Sequence, residues 1–290
     1  MTDQNTTLDE PSFPSLWQLR SRFPNEAACL EYLTAKRLQA GDLCGTGQEC
    51  KFSIDRGVSA LLRCRTCLRR YSPRTATLTY NSNISLLKWF ELLWLFSAMP
   101  EGLTVDFVRR YLGISHVAAW RMLLKLRLHI DAQRRSVQFG GDGRPVVMTW
   151  TNLRVRTSRR RTLLVFALED GKEISSLTCP DRRTKYIRHF LSERITQPAQ
   201  LIIPDRFDCK MAVRRYGNSV VVRDSSDPVG RAGESSFVAD LNGWVKRIYK
   251  HVRPDYAALY VREKEFRVAL DNSSGRMFAR LMKSFPAIER

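Results

Sequence analysis

No apolar stretch in this 290-residue chain reaches the ~18–20 residues that a membrane-spanning helix requires. The longest candidate, Leu92 to Met99, is about half that length and sits in a helical pattern. The opening residues, MTDQNTTLDEPS, hold neither a basic start nor an apolar run, so they do not read as a secretory signal and the expected location is the cytoplasm. Internal repeats are missing. Histidine is scarce, 4 in all and none between residues 41 and 80, which leaves cysteine to supply any soft metal site there. Acidic residues are few: 29 Asp and Glu face 48 Lys and Arg, a net charge of +19. Such a field favours a polyanion, either nucleic acid or an anionic membrane surface. The charge is spread along the chain, densest at Arg63–Arg74 and Arg154–Arg161, and no helix stands out with a basic amphipathic face, which argues against a membrane. An aromatic RNA-recognition signature is lacking too, so RNA binding through bulk charge is the weaker nucleic-acid reading.

What is present is ample core material, with 43% hydrophobic residues, and enough length for one large domain or two to three smaller ones. Residues 24–40 read as an amphipathic helix ended by Gly41. Residues 42–80 change character: helix signals fade, short strands are expected near Lys51–Ile54 and Ala60–Arg63, and cysteines cluster. From Ser85, a candidate cap, helix returns through Trp89, Phe90, Leu93 and Phe96. A second helix over Thr104–Leu112 follows, then Gly113-Ile114-Ser115, then a long helix from His116 to about Asp131. Helix, glycine turn, serine cap and helix together describe a helix-turn-helix. Its exposed face is expected to show Arg121, Lys125 and Arg127, with Val117, Trp120, Leu123, Leu124 and Leu126 inward or nearby. Residues 136–145 form a Gly-rich boundary. Beyond it the pattern predicts strands at Val146–Thr151, Arg161–Leu168, Glu173–Thr178 and Gln200–Pro204, a helix at Arg183–Leu191, a polar loop at 224–235, and helices at Phe237–Lys250 and about Asp255–Leu270. That order is mixed α/β.

The chain has 7 cysteines, an odd count without an export signal, which argues against a disulfide framework. Cys29, Cys179 and Cys209 read as core residues. Cys64-Arg-Thr-Cys67 has the spacing with which one knuckle grips a tetrahedral Zn²⁺. Its local partners are Cys44 and Cys50, whose five intervening residues exceed the usual ~2–4. The expectation is one structural Zn²⁺ on Cys44, Cys50, Cys64 and Cys67. The plain alternative is four small buried residues and no metal.

Several motifs carry a resemblance. The stretch Phe23-Pro-Asn-Glu-Ala-Ala-Cys29-Leu-Glu-Tyr-Leu33, then Cys64-Arg-Thr-Cys67-Leu-Arg-Arg-Tyr-Ser72, Leu87-Lys-Trp89-Phe90, Leu112-Gly-Ile-Ser115 and Ala119-Trp120-Arg-Met122 resemble the front of zinc-ribbon DDE transposases of bacterial insertion sequences. The resemblance implies a zinc ribbon, a helix-turn-helix and a ribonuclease-H-like catalytic domain in which three carboxylates bind two Mg²⁺. Asp205, ending Leu201-Ile-Ile-Pro204, matches the second carboxylate position. Asp240 falls where the family carries Glu, one methylene longer. The strand expected to hold the first carboxylate has Thr149 instead, and Asp142 upstream serves only in a shifted register. The implied triad, Asp142, Asp205 and Asp240, is therefore incomplete.

The expected fold is α+β and multidomain: an N-terminal zinc ribbon and helix-turn-helix region followed by a ribonuclease-H-like α/β domain. The boundaries read 1–20 disordered, 21–80 helix and zinc ribbon, 81–135 helical DNA-binding region, 136–272 ribonuclease-H-like domain and 273–290 tail. The expected partner is double-stranded DNA, without membrane association, and a homo-oligomer on DNA is compatible with this reading. His116, Arg121 and Lys125 are the expected base contacts, and Arg159 and Arg160 the expected phosphate contacts. The leading function is a transposase-family DNA-binding protein, with Mg²⁺-dependent strand transfer only if a carboxylate completes the site. The alternative is a non-enzymatic DNA-binding regulator derived from such a protein.

Overall fold

Leucines and aromatics at helical spacing over Leu86–Phe96 build the helix around which the N-terminal part of the chain is organised. The structure, a computed structural model, describes residues 15–40, 51–54, 61–75, 77–133, 137–141, 143–155, 162–171, 173–179, 183–213, 219–223, 236–250 and 252–285. It contains both helices and a mixed sheet, so the chain is α+β. It divides into two compact units, Met1–Gln133 with Asn272–Arg290, and Arg134–Asp271. No helix among the described residues is long and apolar enough to cross a membrane.

The first unit holds α1 (Leu16–Arg22), α2 (Glu26–Ala40), a small antiparallel sheet of β1 (Phe52–Ile54), β2 (Leu62–Cys64) and β3 (Arg70–Tyr71), then α3 (Leu86–Ala98), α4 (Val105–Leu112), α5 (His116–Ala132) and α10 (Ser274–Ser284). Ser15 starts α1 with a capping box, its side chain and that of Gln18 satisfying each other's backbone N–H groups. The sequence boundary at residue 20 thus cuts a formed helix. Ser85 Oγ accepts the N–H of Lys88, and the Glu26 carboxylate reaches from α2 to accept the N–H groups of Leu86 and Leu87 at 2.8 and 3.2 Å. An acidic group on free N–H donors also suits the positive end of the helix dipole. α3 is buried on nearly every side, and α1, α2 and α10 pack on it. Phe23, Tyr32, Phe90 and Phe285 meet edge to face in its core, with centroids 4.8–5.9 Å apart. Each such pair adds about 0.5–1.5 kcal/mol beyond the area it buries. Residues 273–290, expected to be a tail, therefore include a helix that belongs to this core. Met277, Phe278, Leu281 and Met282 lie on its buried side.

The second unit is built on a five-stranded sheet, order β6-β5-β4-β7-β8, made of β4 (Pro145–Arg154), β5 (Thr162–Glu169), β6 (Ile174–Cys179), β7 (Gln200–Pro204) and β8 (Ser219–Arg223). β4, β5 and β6 run antiparallel in turn, while β4, β7 and β8 are parallel. Alternation along the strands feeds two cores. Val146, Met148, Leu164, Phe166 and Leu168 pack with α6 (Thr184–Arg194) and α7 (Phe207–Val213). Leu153, Val165 and Ala167 pack with α8 (Ser236–Tyr249) and α9 (Pro254–Ala269). Helices thus cover both sheet faces. The Gly-rich segment is pinned here: Phe139 bridges Ile195, and a Cβ on Gly140 (φ +87°) would stand 2.4 Å from Thr196 O and 2.6 Å from Ala199 Cβ. Only glycine fits that approach.

Under the α9 face lies a buried polar network. Arg267 and Glu263, both fully buried, pair at 3.0 Å, and Tyr249 donates to Glu263 at 3.0 Å. Ser176 and Arg262 both donate to Glu265 at 2.6 Å. Charges this deep are tolerable only because each is paired and hydrogen-bonded.

Candidate nucleic-acid interface

The turn between α4 and α5 is set by three residues. Thr104 Oγ1 accepts the N–H of Phe107 at 3.2 Å and starts α4. Gly113 ends it in the left-handed region (φ 59°, ψ 50°), with Ile114 N–H bonded back to Arg109 O at 3.2 Å. Ser115 Oγ then accepts the N–H of Ala118 at 3.2 Å and starts α5. A side chain at residue 113 would meet nothing within 4 Å, so the glycine is required by backbone conformation alone. Val108 and Leu112 on α4, and Ala119, Met122, Leu123 and Leu126 on α5, form the buried side. His116, Val117 and Arg121 are exposed on the first turns of α5. Three expectations of exposure on this helix change. Lys125 donates to Tyr80 O, and burial lowers its pKa, so it serves the fold. Arg127 is 4% exposed and lies inside. Val117, expected to pack, is 55% exposed.

Cys64 ends β2 and Cys67 follows a tight turn in which Leu68 takes φ +61°. Leu68 N–H bonds to Cys64 O, and Cys64 N–H to Arg69 O, each at 3.0 Å. Cys64 Sγ accepts the N–H groups of Thr66 and Cys67 at 3.3 and 3.4 Å. Two amide donors aimed at one sulfur stabilise a thiolate, the form a Zn²⁺ ligand must take. This half of the donor set fits the metal. Cys44 and Cys50 lie outside the described residues, and among the described residues no group of three or more His, Cys, Asp and Glu could hold a metal ion. Cys29, Cys179 and Cys209 are buried and in no disulfide, and burial raises Cys29 and Cys209 to about 12.

The carboxylate positions lie in the second unit. Thr149 on β4 is 9% exposed, and its Oγ1 has no hydrogen-bond partner among the described residues. Asp205 follows β7 and is ion-paired with Lys210. On α8, Asp240 takes Lys264 on Oδ2 at 2.8 Å and Arg247 on Oδ1 at 3.1 Å. The Lys264 hydrogen bond, aided by Arg247, lowers its pKa. A divalent ion needs carboxylate oxygens free to coordinate. Both described carboxylates are paired with the chain's own cations. Asp142, Arg159 and Arg160 lie outside the described residues.

One groove in this unit was not anticipated from the sequence. It measures about 760 Å³ and is lined by Trp150, Thr151 and Asn152 of β4 and by Asn242, Lys246 and Lys250 of α8 and its end. β4 pairs with β7 over Pro145–Val147 only, whereas its ladder with β5 continues to Arg154. Residues 150–152 therefore have no ladder partner on the β7 side among the described residues. Asn242 Nδ2 donates to Thr151 Oγ1 and Asn152 O, both at 2.9 Å, and fixes the helix against this free edge. Trp150 is backed by Arg206, whose guanidinium lies 3.8 Å from the ring centroid while chelating Asp208 at 2.8 and 2.5 Å. The legible signal was the spacing of Asn242 and Lys246, four residues apart along one face of α8; Lys250 lies just past its end at φ +59°.

No family model matches the chain, and no curated protein matches it at a significant level.

Proposed function

We propose that this chain is a transposase-family DNA-binding protein that engages duplex DNA through α4 and α5. The observation carrying this reading is the capped helix pair with its left-handed Gly113 turn, which leaves His116 and Arg121 exposed on the first turns of α5. A recognition helix reads base edges from such positions. The +19 charge supplies phosphate attraction without sequence information. The Cys64–Cys67 turn supports a zinc ribbon completed by Cys44 and Cys50. The sheet, three antiparallel strands followed by two parallel ones beside β4, supports a ribonuclease-H-like domain.

The ion pairs at Asp205 and Asp240 favour a non-enzymatic regulator of transposase descent over a strand transferase. Fluorescence anisotropy on a duplex selected from a random pool, and on its scrambled version, tests the binding. Arg121→Ala is expected to cost about 1–3 kcal/mol and to blur preference for the selected duplex. Equal affinity of wild type and variant for both duplexes refutes α5 as the reading helix. The same selected duplex, incubated with Mg²⁺ or Mn²⁺, is expected to stay intact. Nicking lost on Asp205→Ala refutes the non-enzymatic reading. Inverted repeats flanking the gene would favour the mobile element over the regulator.

A further inference from the structure

We propose that the groove between β4 and α8 is a second nucleic-acid site, one that takes a short stretch of single-stranded DNA by its phosphates without a divalent metal. This rests on the reading of the chain as a DNA-binding protein, and on no feature of α4 or α5.

Four observations carry it. First, the groove is cationic: Lys246 and Lys250 line it, and neither has an ion-pair partner among the described residues. The nearby acid, Asp240, is already neutralised by Lys264 and Arg247, so it does not cancel them. Second, Lys246 lies in the last turn of α8 and Lys250 just past its end, where φ is +59°, so two cations border the same groove. Third, its volume of about 760 Å³ matches sites that enclose drug-sized ligands of ~300–1,000 Å³. A few nucleotides of one strand fill such a space, and a duplex is too wide to enter it. Fourth, the opposite wall is the strand edge at Thr151 and Asn152, which has no ladder partner on the β7 side among the described residues and offers polar groups to a sugar–phosphate chain. A positive groove that tracks the backbone is one part of how single strands are held. Lysines here meet the phosphate charge that a divalent ion meets in a carboxylate-lined site, which is why no metal is needed.

The test uses the full chain and a fluorescein-labelled dT12 strand in buffer without added divalent ions, followed by anisotropy across a salt series. Lys246→Glu with Lys250→Glu is expected to weaken dT12 binding at least tenfold. It should also flatten the salt slope by about 1.4, the value for losing two phosphate contacts to a single strand. Lys185→Glu with Arg188→Glu on α6, at the opposite sheet face, makes the same change of net charge and is expected to shift binding less than threefold. Equal losses in the two double variants overturn the site, because bulk charge then explains the binding. Binding of dT12 that appears only with added Mg²⁺ overturns metal independence. An rU12 strand bound tenfold more tightly than dT12 overturns the assignment to DNA. A failure of the α5 reading shows in the duplex preference of Arg121→Ala, and a failure here shows in dT12 binding by the groove variant, so the two stay distinct.

Discussion

His129 makes the first unit sensitive to acid, and the structure sets the size of the effect. The side chain is 2% exposed on α5. Its Nε2 lies 2.8 Å from Ser284 Oγ on α10, and that hydroxyl donates onward to Leu281 O at 3.1 Å. With the hydroxyl proton so used, Nε2 carries hydrogen and donates to Ser284. Nδ1 is then the bare nitrogen, and it is buried without a partner among the described residues. Protonating it would create a buried cation whose new N–H has no acceptor. Burial accordingly lowers the pKa from 6.5 to about 4. The folded pKa is below the unfolded one, so the unfolded chain takes the proton first. Stability is full above pH 6.5 and drains as pH falls towards 4. Linkage gives a loss of about 2 kcal/mol at pH 5 and about 3 kcal/mol at pH 4 from this residue. Urea denaturation at pH 7.5 and pH 5, followed by hydrogen exchange over residues 116–132, compares wild type with His129→Gln. The variant cannot titrate at this position, so the other ionisations cancel in the difference. The stability difference between the two proteins is expected to change by about 2 kcal/mol over that range. A difference constant within about 0.5 kcal/mol refutes the reasoning and means that the imidazole is already charged or already solvated.

Two further outcomes concern the other buried centres. Purified protein is expected to carry one zinc per chain by elemental analysis, and Cys64→Ser should abolish it and raise hydrogen exchange over residues 51–75 while leaving 137–271 protected; zinc retained in full by the variant removes Cys64 as a ligand. Glu263→Ala strands the fully buried Arg267 and is expected to destabilise the second unit by about 3–5 kcal/mol, read by calorimetry. A loss below about 1 kcal/mol means the guanidinium finds water or another acceptor.

Most helices and strands were readable because their signals are local. Ser85, Thr104 and Ser115 each cap the helix they precede, and Gly113 stops α4 as a left-handed residue must. The apolar runs Val146–Thr151 and Gln200–Pro204 lie within strands β4 and β7. What was missed is short or depends on distant contacts. α7 has 7 residues and β8 has 5, too few for a period to stand out. α10 has a buried side because α3 waits for it, across more than 170 residues of chain. Lys125 and Arg127 looked like exposed cations because the α5 sequence has no clean apolar stripe. Tyr80 O claims the first, and tertiary packing buries the second.

The carboxylate positions show how much of a side chain's state lies outside its local sequence pattern. Position along the chain was enough to single out Asp205 and Asp240, since each follows from an apolar strand or a helix pattern. Their chemical state also depends on Lys210, Lys264 and Arg247, whose pairing with them only the fold reveals. A carboxylate paired with an ammonium at 2.8 Å must give up that partner before it can coordinate a metal, and charge-assisted hydrogen bonds are the strong ones. In a chain with 48 basic and 29 acidic residues, competition for carboxylates runs against divalent ions from the start. The same imbalance leaves basic side chains over once the acids are satisfied. Arg121 on α5 and Lys246 and Lys250 in the groove are among those left facing solvent, and it is this surplus that the proposed DNA partner would meet.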